Sequence, residues 1–127
     1  MKIISYTIII QALWFLHNPQ SKDWNGKEVM LPRYVCKIHL WKSAHDESFF
    51  YIETLKVIFS SPESVVKSKH TKNTVIANLK LTNREHKYLH VIVHYKGLLK
   101  GFKKPKNYIA TFYGSNEPKE GEVIWPK

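Results

Sequence analysis

The chain has 127 residues and a mass of 15.0 kDa, enough for one domain with a core but not for two. Hydrophobic residues make up 43% of it and aromatic residues 13%, which excludes a disordered tail, and five glycines with six prolines exclude collagen-like or low-complexity character. Twenty Lys and Arg against ten Asp and Glu give a formal net charge of +10; residues 1–63 hold seven basic and six acidic residues, residues 64–127 thirteen and four.

In chain order, the first segment is MKIISYTIIIQALWFL. Tyr6, Thr7 and Gln11 interrupt its apolar run and no small-x-small cleavage site follows, which argues against a secretory signal. Ile3, Ile4, Ile8, Ile9 and Ile10 are β-branched, so the segment is expected to be an opening strand. No stretch reaches about 20 unbroken apolar residues, so no spanning helix is expected. Asn25-Gly26 reads as a turn leading into a short extended segment, KEVML.

Two helices are expected over residues 31–60. Pro32 suits a first helical turn, and Tyr34, Val35, Ile38 and Trp41 then keep helical spacing. Asp46 is a candidate N-cap for a second helix, whose apolar face runs through Phe49, Ile52, Leu55, Ile58 and Phe59 before Pro62 ends it. Beyond Pro62 the apolar period changes to two. Ser64–Lys69, Thr74–Leu81, Tyr88–Tyr95 and Tyr108–Tyr113 read as the strands of an antiparallel meander, within residues 64–115. The expected fold is α+β: two N-terminal helices packed on a four-stranded antiparallel sheet, preceded over residues 1–30 by a strand or hairpin.

A one-sided basic excess on a compact domain points to a polyanion, because Lys and Arg displace condensed counterions from phosphates. The bland alternative is a solubilising surface. Strand parity sharpens the first reading. Leu89, Val91, Val93 and Tyr95 should face the core, and Tyr88, His90, Ile92 and His94 the other side. In the last strand Tyr108, Ala110 and Phe112 share one parity and Ile109, Thr111 and Tyr113 the other. If register permits, His90, His94, Thr111 and Tyr113 form a half-polar, aromatic face suited to RNA, with phosphates held by Lys67, Lys100, Lys103, Lys104 and Lys106.

Other chemistries have less support. His86, His90 and His94 have helical ligand spacing, but on a strand His90 and His94 lie about 13 Å apart, too far to share an ion. No HExxH pattern, Gly-rich phosphate loop or G-x-S-x-G elbow is present. Cys36, alone in the sequence, forms no internal disulfide and no multi-thiolate zinc site; it reads as a packed small hydrophobe in a reducing, cytoplasmic setting, although secretion is not excluded. His39 and His45 end the first helix or follow it. Each fits a histidine favoured by the helix dipole, and equally an imidazole acting as base or acid on a ribose phosphodiester.

Several segments together resemble a known family. These are DWNGKEVMLP; His39 followed by His45-Asp46-Glu47; Ser61-Pro62-Glu63-Ser64-Val65-Val66-Lys67-Ser68; YLHVIVHY; and YIATFYG, spanning about residues 23–115. Their order resembles the phage- and toxin-associated barnase–EndoU–colicin–RelE-like nuclease superfamily. The resemblance implies a metal-independent endoribonuclease without cofactor, in a bacterial or phage-infected cell, opposed by a cognate immunity or antitoxin protein and with no membrane partner. It also implies His39 or His45 as general base, Lys69 as the basic residue stabilising phosphate charge, and Thr111 with Tyr113 as a closing T-x-Y pair; on the nuclease reading His90 is in addition a reserve acid. The alternatives are a non-catalytic nucleic-acid-binding module using the same basic sheet, and a phage structural or interaction protein.

Overall fold

A computed structural model describes residues 20–32, 34–35, 55, 58–82 and 86–126. They form one mixed seven-stranded sheet: β1 (Gln20–Lys22), β2 (Glu28–Met30), β3 (Ser64–Lys67), β4 (Thr74–Lys80), β5 (Tyr88–Gly97), β6 (Lys106–Ser115) and β7 (Val123–Trp125). The spatial order is β1-β2-β6-β5-β4-β3-β7, with β2 and β6 running parallel and every other neighbouring pair antiparallel.

This corrects the expected architecture. The four-stranded meander is present as β3 to β6, but β1 and β2 extend it beyond β6, and β7 extends it beyond β3. No complete helix falls among the described residues. His39, His45, Cys36, residues 1–19 and most of the two expected helices lie outside them. Of the apolar positions assigned to those helices, Val35, Leu55 and Phe59 are buried in the core and Ile58 packs against it, whereas Tyr34 is 45% exposed.

Alternation decides the faces. Val65 of β3, Val75, Ala77 and Leu79 of β4, Leu89, Val91 and Val93 of β5, and Ile109 and Phe112 of β6 form one apolar side, covered by Leu31, Val35, Leu55 and Phe59. The opposite, outward side is crossed at one end by residues 116–122. There the backbone of Lys119 bonds the Asn78 side chain twice, Lys119 N–H donating to Oδ1 at 3.0 Å and Asn78 Nδ2 donating to Lys119 O at 3.3 Å. Gly121 presses on β3 so closely that an added Cβ would meet Lys67 O at 3.2 Å.

One strand parity is also corrected. Val93 pairs with Ile109 and Ile92 with Thr111, so Ala110 is an extra residue in β6. This bulge puts Tyr108 on the outward side together with Thr111 and Tyr113, and Ile109 in the core with Phe112. Tyr108 therefore faces His94.

Candidate nucleic-acid interface

The topology collects lysine at one end of the sheet. β1 ends there, β2 starts there, β3 turns there into β4, and β5 turns there into β6. The β1–β2 turn brings Lys22 and Lys27, and the β3–β4 turn Lys67, Lys69 and Lys72. The end of β5 and the loop into β6 bring Lys96, Lys100, Lys103, Lys104 and Lys106. These ten lysines meet three carboxylates, Asp23, Glu28 and Glu122. Asp23 is buried, and Glu122 pairs with Lys67 at 3.6 Å in an exposed contact worth little. The far end is balanced, with Lys80 and Lys87 against Glu63 and Glu117.

At the lysine end lies a cleft of 720 Å³. Its polar wall is the β3–β4 turn from Ser68 to Asn73, including Lys69, His70 and Lys72; Lys27 and Lys96 close the other sides, and Trp24 and Tyr95 supply rings. Asp23 builds this geometry. Its Oδ1 accepts from the backbone N–H groups of Asn25 (2.8 Å) and Lys27 (2.9 Å), and its Oδ2 from the Tyr95 hydroxyl (2.6 Å). Asp23 N–H also donates to Lys27 O at 2.9 Å, and Gly26 completes the turn at a φ of 78°. Tyr95 is thereby fixed, and burial with the Asp23 hydrogen bond holds its phenol well above the ordinary range. Lys27 Nζ stands 5.4 Å from the Tyr95 ring centre, while Trp24 packs edge-on against Phe59 at 5.8 Å.

The outward face supplies the second half of the picture. Asn78, His90 and Tyr113 lie in one row across the strands, Ile76, Ile92 and Thr111 in the next, and Thr74, His94 and Tyr108 in a third. The expected sharing of this face by His90, His94, Thr111 and Tyr113 is thus met in the register, with Thr111 and Tyr113 exposed. The two histidines differ sharply. His90 is 0% exposed; its Nδ1 faces Asn78 Oδ1 at 2.8 Å and its Nε2 bonds the Ser115 hydroxyl. Burial, aided by the charge of Lys119, pushes its pKa down to about 4. Both ring nitrogens of His90, the expected reserve acid, are engaged and no edge of the ring is exposed. His94 is half-buried and reaches the surface beside Tyr108, ring centres 5.3 Å apart.

The anticipated site residues therefore divide. Lys67 and Lys69 line the cleft, and Lys100, Lys103, Lys104 and Lys106 belong to a loop at the same end. Thr111 and Tyr113 lie on the outward face, away from it. Two strand spacings and two residues of rise put about 12 Å between Thr111 and Thr74, and Lys69 lies beyond Thr74 in the turn. Lys69 thus stands in the β3–β4 turn and Thr111 within β6 on the outward face. Trp24, Lys27, Lys72, Tyr95 and Lys96 were not among the expected site residues; the DW-NG turn was the signal for Trp24 and Lys27, but its neighbour across the sheet depends on a parallel pairing. Among the described residues, no group of three or more His, Cys, Asp or Glu could hold a metal ion, and no helix is long and apolar enough to cross a membrane. Comparison with protein families, with curated proteins and with solved structures finds no match for the chain.

Proposed function

We propose that this protein binds single-stranded RNA, with the phosphate backbone on the lysine-rich end of the sheet and unpaired bases against partly exposed rings. The observation that carries this reading is the collection of ten lysines from three connections at one end of the sheet, five of which (Lys27, Lys67, Lys69, Lys72 and Lys96) line a cleft together with Trp24 and Tyr95. Lysines so placed gain affinity by counterion release, and a ring adds about 1–3 kcal/mol for each base stacked on it. A duplex offers no unstacked bases to such rings, which favours single strands. The choice of RNA over DNA follows the resemblance described above.

The second reading is the endoribonuclease that the resemblance implies. What favours it is the β3–β6 meander with Thr111 and Tyr113 of β6 on its outward face, as a closing T-x-Y pair would stand. A cleaved product ending in a 2′,3′-cyclic phosphate would distinguish the two readings.

Binding is tested by titrating labelled single-stranded RNA over a range of salt. Neutralising Lys103, Lys104 and Lys106 together should weaken binding and lower the log–log salt slope by about two, at about 0.7 per phosphate contact on a single strand. An unchanged slope would remove the β5–β6 loop from the interface.

A further inference from the structure

We propose that His94 is the general base of an RNA-cleaving site on the outward face, accepting the proton of a ribose 2′-hydroxyl at Nε2. The proposal rests on RNA binding at the adjoining lysine-rich end.

One hydrogen orients the ring. The Thr74 hydroxyl contacts two groups, Lys72 O at 3.1 Å and His94 Nδ1 at 2.7 Å. A carbonyl only accepts, so the hydroxyl's single hydrogen goes to Lys72 O, and the Nδ1–H of His94 donates to Thr74 Oγ1. That fixes the tautomer and leaves the lone pair on Nε2, which has no hydrogen-bond partner among the described residues. The ring is held a second time by Tyr108, packed edge-on at 5.3 Å. Tyr108 in turn sits against Gly97, where an added Cβ would meet its Cε1 at 2.8 Å. His94 is thus an oriented imidazole, and partial burial lowers its pKa and favours the neutral form. His90, four residues earlier, has no nitrogen to spare.

Its position completes the case. Thr74 follows directly on the turn that carries Lys69 and Lys72, Lys96 lies two residues beyond His94, and Lys106 two residues before Tyr108. His94 stands where the lysine-rich end meets the aromatic face, so a strand whose phosphates lie on those lysines passes it. The 2′-hydroxyl proton moves to Nε2, the 2′-oxygen bonds to phosphorus, and the bond from phosphorus to the 5′-oxygen breaks. The leaving 5′-oxygen takes a proton from water, and the imidazolium returns its proton to the hydroxide formed. The product is a 2′,3′-cyclic phosphate, with no net redox change and no co-reactant.

The test uses the full chain with EDTA and a labelled DNA strand containing one ribonucleotide, alongside the all-DNA strand. Cleavage should occur only at the ribonucleotide and leave a cyclic phosphate. His94→Gln should slow it by about a hundredfold or more, with affinity for single-stranded RNA and thermal melting retained. Thr74→Val should lower the cleavage rate with binding unchanged, and Thr74→Ser should restore it, as expected of a positioning hydroxyl. Cleavage by His94→Gln at the parent rate would overturn the proposal. So would a parent protein that binds RNA and leaves it intact, a result that spares the binding reading. Absence of RNA binding would overturn both.

Discussion

Two histidines on one strand, four residues apart, have opposite fates because of what surrounds each. His90 lies under the 116–122 segment and is pushed down to about 4 by burial first and Lys119 second. Its ordinary value of 6.5 belongs to the unfolded chain, so between pH 6.5 and 4 the unfolded state binds a proton that the folded state refuses. Stability from this group is therefore complete above about pH 6.5 and falls as the pH drops, by on the order of 3 kcal/mol at pH 4. Urea unfolding across that range should show the decline, and a His90→Gln variant a shallower one; parallel curves would mean that other groups are responsible. Asp23 is the second residue on which much hangs, since one carboxylate satisfies two backbone N–H groups and the Tyr95 hydroxyl. Asp23→Ala should cost about 2–3 kcal/mol in unfolding free energy and weaken RNA binding, because it frees Tyr95 and the turn bearing Lys27. Stability equal to the parent would show that water replaces the carboxylate without loss.

At the scale of elements, the long strands and the short β2 and β3 were legible, and β1 and β7 were not. β4, β5 and the body of β6 announce themselves by alternation of Val, Ile, Leu and Tyr with polar residues. β1 is three polar residues and β7 three residues before Pro126, so neither has a period to read; both exist because an edge strand is there to pair with. The Ala110 bulge has no glycine to mark it, yet it moves Tyr108 to the face of His94 and so assembles the aromatic pair. The covering segment 116–122 was equally hidden, being polar and without period. Its close seat at Gly121 can be tested. Gly121→Ala brings a methyl to 3.2 Å from Lys67 O, a backbone atom that cannot swing away. The melting temperature should fall, by an amount equivalent to about 1–2 kcal/mol, and a parent-like value would mean that the segment lifts at no cost.

For the whole molecule, charge was legible as an amount and a half of the sequence, but not as a place. The excess over residues 64–127 predicts an anionic partner, and alternating strands then sort the loops: those after β3 and β5 fall at one end, those after β4 and β6 at the other. What no linear reading supplies is the arrival of Trp24 and Lys27 at the same end, which follows from the parallel pairing of Met30 with Tyr108. The central claim is that binding depends on where the lysines are and not on how many there are. It is tested most directly by comparing two triple variants of equal charge against the parent, measuring single-stranded RNA affinity over a salt series. Lys69→Gln with Lys72→Gln and Lys96→Gln removes three cations from the cleft. Lys80→Gln with Lys87→Gln and Lys119→Gln removes three from elsewhere. The first set should lower the salt slope by about two and weaken binding strongly, while the second leaves the slope at the parent value. Equal effects from both sets would contradict the claim and reduce the protein's basic character to net charge alone.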